Sequence, residues 1–144
     1  MVQKHFERTI LFKERRVGSE LRRRPIVTAT VFGPGGNGIN LPLLFDTGAS
    51  HITLRRELYS FLGLPSWDSG ERVPIAAAGG MADAYRYDDI DVEFFGKRVR
   101  CTIQLMELGR HPMFQGLFGR SDIFQEFGFG FWESTRELYI TTNP

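Results

Sequence analysis

Leu43-Leu44-Phe45-Asp46-Thr47-Gly48-Ala49-Ser50 runs three apolar residues directly into an ionisable one, and that junction decides how the rest of the chain is read. Apolar residues on consecutive positions are expected where both faces of a strand are covered. A carboxylate at the end of such a strand loses hydration and is costly to place there without partners. The next residues supply the means of compensation. Gly48 lets the backbone turn sharply and aim amide N–H groups at the acid, and the Thr47 hydroxyl is suited to fastening the loop. A carboxylate so held is either a satisfied structural turn or an acid tuned for chemistry.

Upstream, Ile26-Val27-Thr28-Ala29-Thr30-Val31-Phe32 is β-branched and aromatic, and Gly33-Pro34-Gly35-Gly36-Asn37-Gly38 breaks it before the strand that ends on Asp46. Downstream, Asp89-Ile90-Asp91-Val92-Glu93-Phe94 alternates polar and apolar. Phe95-Gly96-Lys97 turns the chain, and Arg98 to Leu105 alternates again, which predicts an amphipathic hairpin. Cys101 falls on its apolar side with Val99, Ile103 and Leu105 and reads as a small buried hydrophobe. Further strands are expected at Thr9–Phe12, Val73–Ala77, Ala84–Tyr87 and Leu138–Thr141. Helices are expected from Arg55 to Leu62, closed by Gly63 and Pro65, and from about Asp122 to Phe127, closed by Gly128. Short strands, glycine-rich turns and two short helices predict a mainly β domain.

The bulk properties agree with that reading. The chain has 144 residues, with 42% hydrophobic and 24% charged side chains, which suits one globular domain and excludes a disordered chain. The single cysteine excludes a disulfide scaffold and, with no apolar run long enough to span a bilayer and no secretory leader pattern, points to the cytoplasm. Net charge is +1, unevenly spread: residues 1–24 carry eight basic and three acidic side chains, the remainder ten and fourteen. The basic tract Lys13 to Arg24 lacks aromatics and any reader motif, so it is read as a solvated loop and nucleic acid is not expected as a partner. His5, His51 and His111 are scattered without metal-ligand spacing, so no metal and no cofactor is expected.

The ordered set of motifs resembles the retropepsin-like aspartic proteases, the single-lobe family typified by retroviral proteases. Leu43 to Ser50 is similar to that family's Asp-Thr-Gly-Ala active-site loop, and Arg24-Pro25-Ile26-Val27-Thr28 to the strand that opens its domain. Leu117-Phe118-Gly119-Arg120 resembles the apolar-apolar-Gly-Arg element that packs beneath the loop, Gly119 following Asp46 by 73 residues. Val73 to Tyr85 has the look of the flap, with Ala77, Ala78, Gly79 and Gly80 at its tip over a substrate. The resemblance implies a single-lobe closed β-barrel with one short C-terminal helix over residues 24–144, preceded by a basic extension or dimer strand at 1–23. It implies Asp46 as the catalytic residue, with Thr47, Gly48, Ala49, Gly119 and Arg120 as loop support. The family's acidic partner for that arginine is replaced here by Ser50 and His51, which leaves the partner of Arg120 open between Asp122, Glu126 and others.

Aspartic-protease chemistry uses two carboxylates sharing one proton. One Asp46 supplies half of that, so the resemblance implies a two-fold homodimer acting on a peptide or protein substrate. Asp68-Ser69-Gly70 lies 22 residues after Asp46, too close for a second lobe, and reads as a surface turn. The competing reading keeps the fold and the dimer but makes the chain a catalytically inactive binding or scaffolding module.

Overall fold

Residues 6–77 and 79–142 are described by a computed structural model. The two runs flanking the glycine-rich turn pair as antiparallel strands β4 (Ile26–Phe32) and β5 (Gly38–Phe45), in register from Ile26 opposite Leu44 to Phe32 opposite Gly38. The amphipathic hairpin is β8 (Gly80–Phe94) and β9 (Lys97–Met106), closed by Phe95 and Gly96, both with left-handed backbone (φ 46° and 74°) as a two-residue turn requires. Cys101 is buried on its inner face, as its alternation predicts.

Around these hairpins the chain lays β1 (Arg8–Leu11), β2 (Lys13–Val17), β3 (Glu20–Arg24), β6 (Ile52–Arg55), β7 (Glu71–Ala77), β10 (Gly116–Phe118), β11 (Phe127–Trp132) and β12 (Glu137–Thr142). The main sheet runs β4-β5-β10-β6-β9-β8-β7, and an added pairing of β4 with β8 closes its strands into a ring. A second sheet, β1-β12-β11, packs outside it, and among the described residues β2 and β3 pair only with each other. Among the described residues no helix is long and apolar enough to cross a membrane.

The interior is aromatic where the two sheets meet. Phe118 packs its ring 4.8 Å from Phe94, 5.7 Å from Phe124 and 6.3 Å from Phe45, and Phe129 closes on Phe45 at 4.9 Å. Truncating one such buried phenylalanine to alanine costs about 3–5 kcal/mol, so β10, three residues long, is held mainly by its side chains. Ile10 and Phe12 from the N-terminal segment also reach this core, which ties the extension to the body of the domain.

Several expectations need correction. The helix expected from Arg55 to Leu62 is a 3₁₀ turn, Arg56–Tyr59, because β6 keeps Arg55 extended in parallel register with Met106 and leaves too few residues for a helix. The helix expected over Asp122–Phe127 is a 3₁₀ turn, Ile123–Gln125. There Asp122 has left-handed backbone (φ 66°) with its carboxylate accepting from the Thr102 N–H at 2.9 Å, and Phe127 already belongs to β11. Ala84–Tyr87 is no separate strand but part of β8, which continues through a bulge between Tyr87 and Ile90. The basic tract is not a loop: β2 and β3 form a hairpin about Gly18, whose φ of 61° a glycine accepts without strain.

Candidate active site

β5 carries the chain into Asp46, and the loop beyond it returns as β6. Strand β10 lies between the two, parallel to β5 and antiparallel to β6. Three backbone bonds follow from this crossing. The Asp46 N–H donates to the Phe118 carbonyl at 3.2 Å, and the N–H groups of Arg120 and Ser121 donate to the carbonyls of Ala49 at 3.0 Å and Ser50 at 2.7 Å. The Ala49 N–H closes a tight turn onto the Asp46 carbonyl at 3.2 Å. The Gly48 N–H donates to Asp46 Oδ1 at 2.9 Å, the compensation expected for an acid at this position. The crossing is possible because residue 119 has no side chain: a Cβ there would lie 2.0 Å from the His51 carbonyl oxygen.

Asp46 is half-buried and borders two hollows. One, about 300 Å³, is lined by Pro25, Phe45, Asp46, Thr47 and Phe131. The other, about 280 Å³, is framed by the Asp46–Ser50 loop, Thr53, Gln104, Met106 and Leu117, with Ile75 of β7 reaching into it. Among the described residues Asp46 is the single carboxylate on either lining. The floor of the second hollow is a buried polar chain. Arg86 Nε donates to Gln104 Oε1 at 3.3 Å, Gln104 Nε2 to Thr53 Oγ1 at 2.9 Å, and the Thr53 hydroxyl to the His51 carbonyl at 3.1 Å. Gln104 and Thr53 are almost fully buried, so each polar atom needs these partners.

The loop therefore brings Asp46, Gly48, Ala49, Gly119 and the Arg120 backbone together. The Thr47 side chain is exposed and, among the described residues, has no hydrogen-bond partner. The Arg120 side chain is also exposed and without an ion pair among the described residues. Both acids nearest to it in sequence are engaged elsewhere: Asp122 with Thr102, and Glu126 with Lys97 at 2.7 Å. Hairpin β7–β8 has Ala77 opposite Gly80, with Gly79 in the turn and Gly80 at φ 121°. Ala78 and His5 lie outside the described residues. Asp68 is exposed in a turn and accepts from the Ser66 hydroxyl at 2.7 Å, as read. His51 shares a hydrogen bond with the Ser50 hydroxyl, and burial, then the Arg86 charge, lowers its proton affinity. His111 stacks on Phe114. No group of three metal-ligating side chains occurs among the described residues.

Thr53, Met106 and Phe131 were not singled out in the sequence, and Pro25, Ile75, Gln104 and Leu117 were read there only as parts of strands and motifs. Gln104 left a trace there: it takes a polar position in an alternating strand, yet β9 is covered on both faces at that point. A family model described as aspartyl protease matches residues 27–121. The chain belongs to the aspartyl protease family. No curated protein matches it. The matched part of the chain runs from β4 to Ser121, so it contains the Asp46 loop, hairpin β7–β8 and the Gly119-Arg120 crossing. Membership supports a peptidase that acts on peptide substrate.

Proposed function

We propose that the chain is an aspartic endopeptidase of the retropepsin-like type, working as a homodimer in which Asp46 of each subunit forms the catalytic dyad. The ring of strands is then the closed barrel of one lobe over residues 24–144, with residues 1–23 an extension that can add to the subunit contact. The observation that carries the reading is the placement of Asp46. It is half-buried, oriented by the Gly48 amide, and the one carboxylate on both adjoining hollows. A second acid has to come from outside the chain. Exposed apolar side chains support a subunit contact: Phe131, 48% exposed, shares a hollow with Asp46, and Leu11 and Trp132, 68% and 48% exposed, lie on the other face of the same sheet. A second copy would cover them, and the free Thr47 hydroxyls would tie the two loops.

In the dimer the two carboxylates hold one proton between them, since like charges a few ångströms apart do not both ionise. The ionised member takes a proton from a water as its oxygen attacks the scissile carbonyl, while the protonated member donates to the carbonyl oxygen. Collapse of the tetrahedral diol breaks the C–N bond, and the leaving amine takes up a proton from the dyad. Hairpin β7–β8, with Ala77, Ala78, Gly79 and Gly80, serves as the flap, its backbone pairing with an extended peptide. A single cysteine needs no oxidising compartment, which supports a cytoplasmic enzyme.

Asp46→Asn keeps the shape of the side chain and removes its charge. Cleavage of an apolar peptide library should fall by at least about 10³-fold while sedimentation still reports a dimer. Mixing wild-type and variant chains should lower activity as the square of the wild-type fraction. A linear fall, or a variant that still cleaves, would reject the dyad.

A further inference from the structure

The register of the β2–β3 hairpin turns the basic tract into a surface. Lys13 lies opposite Arg24 and Arg15 opposite Arg22, with Val17 opposite Glu20 near the tip. Directly opposed residues project from the same side of a ribbon. One face therefore carries four cations and one acid, Glu20, which reaches Arg22 at 3.4 Å. The reverse face holds Arg16, Leu21 and the Glu14–Arg23 pair at 2.7 Å, so its charges nearly balance. Like charges set directly opposite each other destabilise a hairpin, and a ribbon paired with no other strand is already marginal. An anionic ligand would relieve that repulsion.

Lys13 and Arg15 are exposed, Arg22 keeps 41% of its side chain in solvent, and Arg24 is half-buried with its Nε shielded and unpartnered among the described residues. The charges of Arg24, Arg15 and Arg22 all act on the His111 ring, in keeping with their shared face of the ribbon. None of the ribbon residues lines either hollow beside Asp46.

We propose that the Lys13, Arg15, Arg22 and Arg24 face of the β2–β3 ribbon binds the phosphate backbone of nucleic acid without sequence preference. Cations on alternate residues of a strand repeat every ~6.7 Å. A phosphodiester chain offers an anion at each of its own repeats by construction, whereas a peptide does so only if it is acidic along its length. Arginine predominates, and its planar fork matches phosphate oxygens in pairs. The ribbon has no aromatic side chain to stack on bases, which leaves backbone contact and hence sequence-independent binding. A two-stranded ribbon also fits the major groove of a duplex. The expectation of no nucleic-acid partner rested on the missing aromatics and reader motif, and binding to the phosphate backbone alone needs neither.

The test is fluorescence anisotropy of the full chain with a labelled, mixed-sequence DNA duplex across a salt series. Binding is expected on the order of 10⁻⁵ M near physiological salt, with log K falling against log salt with a slope of about 3 to 4 for up to four phosphates. Arg15→Gln with Arg22→Gln should halve the slope, Lys13→Gln alone should lower it by about one, and Arg16→Gln on the reverse face should leave it unchanged. A thermal midpoint at or above the wild-type value reports an intact fold in these variants, since removing opposed charges relieves their repulsion. Absence of binding at low salt would overturn the proposal, as would an unchanged slope in the Arg15/Arg22 variant. Equal displacement by polyglutamate at matched charge, or tighter retention on anionic vesicles, would overturn it too by assigning the face to an acidic protein or a membrane.

Discussion

Gly119→Ala is the sharpest probe of how the fold builds the site. A methyl group at residue 119 would sit 2.0 Å from the His51 carbonyl oxygen, against the 3 Å or more that such contacts take, so one backbone has to move by about 1 Å. Both backbones are pinned. The Arg120 and Ser121 N–H groups are bonded to the carbonyls of Ala49 and Ser50, and the Asp46 N–H to that of Phe118. Relief of the clash would break two of these bonds at about 1 kcal/mol each, and the strain left in the packing adds about 1–3 kcal/mol. The sum is about 3–5 kcal/mol, a large part of the total stability of a domain. At fixed protein concentration that corresponds to a fall in thermal midpoint of roughly 6–20 °C for a chain of this size. Gly35→Ala is the matched control, because a Cβ there meets nothing within 4 Å and the backbone is not left-handed. It should be neutral or stabilising by up to about 1 kcal/mol. A Gly119→Ala protein within about 1 kcal/mol of the wild type would refute the close crossing of β10 beneath the Asp46 loop.

The Cys101 thiol is pushed up to about 12, first by burial and then by the charges of Asp122 and Asp91, so it stays protonated and unreactive at neutral pH. Iodoacetamide should label it fast in urea and negligibly in the native protein, and stoichiometric native labelling would contradict its burial. Glu7 accepts from the Thr142 hydroxyl at 2.8 Å, the Thr141 hydroxyl at 3.0 Å and the Thr142 N–H at 3.3 Å, which holds its carboxyl below the usual 4.5. A depressed carboxylate stabilises the fold above its unfolded value and loses that contribution as pH falls through the folded one. The stability gap between wild type and Glu7→Gln should therefore be present at neutral pH and close below pH 4.5 in thermal melts; a gap that widens in acid would have the wrong sign.

The two main hairpins were legible because alternation and β-branching are local and have a fixed period, and the Asp46 loop was legible because the acid, the glycine and the preceding apolar run are adjacent. The expected helices failed for a non-local reason. Arg55 is helix-compatible in isolation but is held extended by its register with β9, and Asp122 is drawn off the helix by the Thr102 amide. β11 escaped notice because Gly128 and Gly130 interrupt its aromatic residues, and the basic hairpin because it has almost no apolar residues to show a period.

The sequence by itself determined a mainly β chain with one acid at a buried strand end and a glycine two residues on, since strand period and turn chemistry are written within a few residues. Tertiary structure alone decided that β10 threads between β5 and β6, that Gln104 and Thr53 form a buried polar floor, and that four cations share one ribbon face. The first two depend on pairing partners far apart in the chain, chosen by the packing of the whole core, and the third on the register of a local hairpin with too few apolar residues to show a period.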